Sequence, residues 1–214
     1  MSSSEIAQKD ASSASPRVSV ERSEQRYSHN SMQLIMLTPS QLAHLLETIN
    51  LALASPPLTD STLKSSKAYL FLLPPTSNSH REKIVGCVIA QRISTAMAIA
   101  TSEAIISDGT QDRRGNSDLS SSHTRSLVAV DTGSGLFCHP GQLPTPLGIP
   151  RLFVPSAHRR RGIASQLLSA AAATFIHGCP LDPTKGQVAF TQPTEGGCAV
   201  MEKWGKGFVR IYEE

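Results

Sequence analysis

The stretch from Ile149 to Gly178 leaves few folds open. Ile149 to Val154 is an apolar run of strand length, and Arg159, Arg160, Arg161 and Gly162 make a basic turn after it. Ile163, Ala164, Leu167, Leu168, Ala171, Phe175 and Ile176 then recur at helical spacing up to Gly178. Strand, turn and helix in this succession belong to a layered arrangement of sheet and helices. The turn also defines a chemistry. A helix N-terminus leaves backbone N–H groups unpaired and carries partial positive charge, so a glycine-containing turn feeding one suits a pyrophosphate. Three consecutive arginines add fixed charge at that point.

The net charge of +3 is unevenly spread. Residues 1–150 hold twelve basic and twelve acidic side chains, and residues 151–214 hold eight and five, so the excess lies beside the arginines. This favours a local anion site over the broad basic face of a protein that coats nucleic acid. Cys87, Cys138, Cys179 and Cys198 are widely spaced and form no C-x-x-C pair. They argue for buried, reduced thiols and against a zinc site or a disulfide framework, so no metal is expected. No apolar run approaches the ~20 residues needed to cross a bilayer. The first residues carry no apolar stretch of secretory type, and the expectation is a soluble intracellular protein.

Residues 1–30 are rich in serine and charge and read as a disordered tail, leaving 31–214 as one domain. Met32 to Leu37 reads as a first strand. Thr38-Pro39-Ser40-Gln41 reads as a capping box, with Pro39 at the first helical position. Leu42, Leu45, Leu46, Ile49 and Leu53 follow at helical spacing, and Pro56-Pro57 ends the helix. Past a polar connector, Ala68–Leu73 and Ile84–Ile93 form a predicted hairpin. Residues 95–106 are ambiguous between strand and helix. Residues 107–126 read as a mobile insertion, and the Gly- and Pro-bearing residues 133–148 as irregular. Val188–Thr191 is a short strand, Glu195–Trp204 a short helix and Phe208–Tyr212 a last strand. Strands and helices alternate, so the class is α/β or α+β with a mixed sheet.

Arg159-x-x-Gly162-x-Ala164 fits the R/Q-x-x-G-x-G/A signature of GNAT-type N-acetyltransferases. The chain resembles one branch of them, the cohesin acetyltransferases, in several separated segments in the same order. These are Lys67-Ala68-Tyr69-Leu70, Ile84-Val85-Gly86-Cys87, Arg151-Leu152-Phe153-Val154 through Ser165, Phe175-Ile176-His177-Gly178, Val188 to Thr194, and Gly205-Lys206-Gly207 into Val209-Arg210-Ile211-Tyr212. The resemblance implies a GNAT-like, mostly antiparallel mixed sheet flanked by helices. It implies a nuclear enzyme that moves an acetyl group from acetyl-CoA to a lysine of a cohesin ATPase-head subunit. Contact with chromatin would then be indirect, and membranes would play no part.

By the same resemblance, Leu152, Phe153 and Val154 would offer strand backbone to the pantetheine arm. Arg159, Arg160, Arg161, Gly162, Ile163, Ala164 and Ser165 would surround the pyrophosphate. A free lysine has a pKa of about 10.4, so catalysis needs a proton acceptor. Animal members of the family place Asp where Gln192 stands and Glu where Ser169 stands, and neither position is acidic here. The candidates for orienting the amine or taking its proton are Ser156, Gln192 and Glu195. Asp182 and Glu202 are the other nearby carboxylates. His158 and His177 are assigned no role, and Trp204 is expected to pack in the core. The 214 residues show neither the cysteine spacing of the family's zinc finger nor a clamp-binding peptide with glutamine and paired aromatics.

Overall fold

The computed structural model describes residues 39–75, 82–100, 127–131 and 136–213. The tail at 1–30, the strand expected at 32–37, Thr38 of the capping box and the insertion at 107–126 lie outside these residues.

Helix α1 spans Pro39–Leu53 and α2 spans Asp60–Lys64. Strands β1 (Ser66–Leu73) and β2 (Lys83–Arg92) pair antiparallel, as the hairpin reading required. Their near-continuous apolar sequences have a simple cause, because both faces are covered. Ala68, Leu70, Cys87 and Ile89 point into a cluster with Leu42, Leu46 and Ile49 of α1. The alternate residues Tyr69, Phe71, Val88 and Ala90 point into the larger core on the other face.

The remaining strands are β3 (Thr95–Ile99), β4 (Val128–Asp131), β5 (Leu136–Pro144), β6 (Leu147–Phe153), β7 (Val188–Phe190) and β8 (Arg210–Ile211). Helix α3 spans Ile163–Thr174 and α4 spans Glu195–Gly205. Among the described residues the sheet order is β1-β2-β6-β7-β8-β3-β5-β4. β6, β7 and β8 run parallel and are connected through α3 and α4. Every other pairing is antiparallel. α3 buries Ile163, Leu167, Leu168, Ala171 and Ala172 against the larger core, which is the face its sequence spacing marked.

Three readings need correction. Residues 136–144 are a strand and not irregular, despite Pro140, Gly141 and Pro144. The register of β3 against β5 passes from Met97↔Gln142 to Ile99↔Cys138, so Pro140 and Gly141 fall in a bulge that demands no ladder bond from proline. The connector after Pro57 contains α2, whose cap is Thr59; its hydroxyl accepts the Thr62 N–H at 3.2 Å. The last strand is confined to Arg210–Ile211, with Phe208 exposed.

The thiols divide too. Cys87 and Cys138 are buried, and Cys179 is exposed. Burial pushes the Cys87 thiol up to about 12 and that of Cys138 up to about 11. Because the thiolate is the reactive form, alkylation of native protein at pH 8 should mark Cys179 first and reach Cys87 and Cys138 only on unfolding, as mass spectrometry can read.

The end of α1 stores strain. Ser55 N–H reaches Asn50 C=O at 2.9 Å and Ala54 N–H reaches Leu51 C=O at 3.3 Å, with Ala54 left-handed at φ 51°. That is a Schellman cap with alanine where glycine is preferred. Ala54→Gly should raise stability by about 0.5–1 kcal/mol in urea unfolding, since the strain relieved exceeds glycine's added freedom in the unfolded chain.

Candidate functional site

β6 and β7 stay paired only over Leu147↔Val188, Gly148↔Ala189 and Ile149↔Phe190. Beyond that point the strands part, and local causes are visible. Against β2, the register passes from Gln91↔Gly148 to Ile89↔Arg151, so β6 carries one extra residue at Ile149-Pro150. A bulge bends and twists its strand, and proline is tolerated there because it has no N–H to give. On the β7 side, Thr191 N–H reaches Ile149 C=O at 3.4 Å, and the Thr191 hydroxyl donates to Pro150 C=O at 3.1 Å. The Pro150 carbonyl thus bonds a side chain where a further rung would stand. Past this apex, β2 covers one edge of Arg151, Leu152 and Phe153, through Ile89, Val88 and Cys87 respectively. Their other edge faces the opening.

At the end of β6 the chain makes a short 3-10 turn, Ser156–His158, and then the basic turn. Arg160 is left-handed at φ 63° and Gly162 at φ 78°, and Gly162 caps α3. The first intrahelical bond runs from Gln166 N–H to Gly162 C=O at 3.0 Å. The amides of Ile163, Ala164 and Ser165 therefore belong to the turn that has no helical carbonyl behind it. A Cβ placed on Gly162 would meet nothing nearer than Gln166 Nε2 at 3.8 Å, so the space before the turn is open. Arg159, Arg160 and Arg161 are exposed around it. Phosphate oxygens fit such a cradle of amides, open volume and guanidinium groups. The Arg159 Nε donates back to Val154 C=O at 3.1 Å, which ties the turn to the strand and occupies one of the backbone groups assigned to the pantetheine arm. The Nδ1 of His158 is buried without a partner among the described residues.

Adjacent parallel strands bring their C-terminal ends to the same edge of a sheet. Ser156 follows β6, and Gln192 and Glu195 follow β7, so all three stand at the edge where the cleft opens. Ser156 shapes its turn, its carbonyl accepting Arg159 N–H at 3.3 Å. Gln192 is exposed. Glu195 opens α4, whose cap is Thr194; the Thr194 hydroxyl accepts Gly197 N–H at 3.3 Å. Asp182 is committed elsewhere. The Thr184 hydroxyl and N–H both donate to it, holding its carboxyl below the usual range and making it a weaker base. Trp204 is half-buried and packs against the core, and its Nε1 donates to Ser169 Oγ at 3.0 Å, joining α4 to α3.

Sequence reasoning passed over the apex residues Pro150, Arg151 and Thr191. A proline and a charged residue inside an apolar strand were the available signal, because each is tolerated in a sheet only with a special reason.

Comparison with known proteins agrees with this architecture. The family model described as ESCO1/2 acetyl-transferase matches residues 144–212. The N-acetyltransferase ECO1 of Yarrowia lipolytica is 47% identical over 73 residues, which are 34% of this chain and 26% of that protein. The N-acetyltransferase ESCO2 of Danio rerio is 29% identical over 140 residues, 65% of this chain and 19% of that one. The chain thus spans about a quarter or less of the length of these relatives. A solved structure of the xEco2 acetyltransferase domain, bound to a K105-CoA conjugate, superposes with a TM-score of 0.62 at 21% identity, covering 91% of this chain and 99% of that one. The fold is thus that of the xEco2 acetyltransferase domain, and residues 144–212, which hold the cleft and its basic turn, match the ESCO1/2 acetyl-transferase family.

Proposed function

We propose that this protein is an acetyl-CoA-dependent protein-lysine N-acetyltransferase that acts in the nucleus on a lysine of a cohesin subunit and supports sister-chromatid cohesion. The observation that carries the reading is the cleft itself, in which a sheet opens at the Ile149-Pro150 bulge beside a helix N-terminus rimmed by three exposed arginines. The relatives' names and the K105-CoA conjugate of the similar structure support the acetyl donor and a lysine acceptor.

Acetyl-CoA would supply the acetyl group, and coenzyme A would leave as a thiolate as the thioester C–S bond breaks. The chain's own work is to bind, orient and deprotonate. The amides of Ile163, Ala164 and Ser165, with Arg159, Arg160 and Arg161, hold the pyrophosphate. The open edge of Leu152, Phe153 and Val154 aligns the arm. Gln192 orients the incoming amine, Glu195 takes its proton directly or through a water, and Ser156 faces the same opening from β6.

Calorimetry tests the first step: saturable binding of acetyl-CoA is expected, and its absence overturns the reading. Labelled acetyl-CoA offered together with cohesin head subunits and polyamines tests the acceptor. Label in protein lysine supports the proposal, and label in polyamines alone overturns it. A second reading, an acetyl-CoA-binding module without turnover, rests on the neutral, exposed Gln192 at the end of β7. Turnover on a lysine peptide excludes it.

A further inference from the structure

Arg151 is 4% exposed, yet it carries a full positive charge into the layer between the sheet and α1. A buried guanidinium is costly unless its donors are matched. Here Nε donates to Asn50 Oδ1 at 3.0 Å, Nη1 to Pro150 C=O at 2.7 Å and Nη2 to Pro56 C=O at 2.7 Å. The three acceptors belong to three different parts of the molecule. Asn50 is near the end of α1, Pro56 lies in the connector to α2, and Pro150 is the bulge carbonyl that also takes the Thr191 hydroxyl. Two residues further along β6, Phe153 packs with the α1 cluster. One side chain therefore holds the end of α1, its connector and the cleft apex in a single arrangement.

We propose that Arg151 is a positioning residue that fixes the open edge of β6 for the pantetheine arm, independently of the pyrophosphate turn; the proposal rests on the acetyl-CoA reading above. The turn meets this edge at Val154, and the bonds that shape it are its own: Arg159 Nε to Val154 C=O and Gln166 N–H to Gly162 C=O, none of which passes through Arg151. Lysine cannot replace the fork, because a single ammonium cannot meet three acceptors that a planar guanidinium reaches from three nitrogens.

The test compares wild type, Arg151→Lys and the milder Asn50→Ala by calorimetry with two ligands. One is acetyl-CoA; the other is adenosine 3′-phosphate 5′-diphosphate, which has the pyrophosphate and no pantetheine arm. Arg151→Lys should weaken acetyl-CoA about tenfold and the fragment by no more than about twofold. Asn50→Ala should show the same pattern at about threefold. Equal weakening of both ligands in variants that melt cooperatively marks a general loss of structure and overturns the proposal, as does no change in either. If Arg151→Lys fails to fold, Asn50→Ala decides by the same pattern. Wild type binding neither ligand overturns the acetyl-CoA reading itself, and wild type binding both equally overturns the placement of the arm.

Discussion

Gly162→Glu should weaken acetyl-CoA binding by at least about 100-fold, roughly 2.7 kcal/mol. The substitution sets a carboxylate where the pyrophosphate is assigned. Two like charges about 4 Å apart near a protein surface repel by roughly 4 kcal/mol, so one added anion suffices. Crowding by the protein at the Cβ does not account for the loss, since a Cβ at this position has no neighbour closer than 3.8 Å. Backbone strain does need a control, because Gly162 sits at φ 78°. Gly162→Asn supplies it: asparagine visits the left-handed region and is neutral, so its affinity should stay within about threefold of wild type. Strain in the glutamate variant lowers its melting temperature, whereas repulsion appears in the calorimetric Kd. Unchanged affinity in Gly162→Glu removes the turn from the site.

The largest effect on stability is expected one strand away. A Cβ at Gly86 would lie 2.7 Å from Ile163 Cγ2 and 2.9 Å from Leu167 Cδ1, so β2 and the first two turns of α3 touch through a missing side chain. Gly86→Val must push the helix off the sheet in a tightly packed core, at a cost of about 3 kcal/mol. For a chain of this size the melting temperature should fall by roughly 6–12 °C, measurable by calorimetric scanning. Ile163 is also the first residue of α3, so the same push displaces the amides of the pyrophosphate turn. Acetyl-CoA affinity should drop even in the fraction that remains folded. A variant with wild-type melting would mean that the helix can move away freely.

Elements whose burial is written in their own residues were legible in the sequence. β1 and β2 announce themselves because both faces are covered, and α3 because one stripe is. The basic turn was legible for the same reason, since its arginines, its glycine and the helix after it are contiguous. What escaped depends on partners far along the chain. β5 is hidden by Pro140 and Gly141, which a bulge opposite β3 accommodates, and bulges are settled by pairing and not by local propensity. α2 has five residues, too few to show a period. The cleft apex joins Pro150 to Thr191, 41 residues later, and Arg151 to Asn50, 101 residues earlier. No local pattern encodes such a meeting. Asp182 looked available in the sequence, and only the bonds from Thr184 show it engaged.

The sheet order has a consequence for how the molecule comes to be folded. The two-residue strand β8 is the rung between β7 and β3, whereas β2–β3 and β5–β6 run on as one ribbon, with Ile93 N–H on Pro146 C=O at 3.4 Å and Thr145 N–H on Ser94 C=O at 3.0 Å. As the chain emerges from the ribosome, β1 and β2 can pair early and β5–β6 can add along β3–β2 as one ribbon, but β7 and β3 stay unjoined until residues 210–211 arrive. Contacts between residues 97–98 and 210–211 close a very long loop, and such contacts are slow to form and leave strand edges bare meanwhile. A nascent chain arrested before residue 210 should therefore be protease-sensitive and dependent on chaperones, and should become resistant only once the last rung is in place.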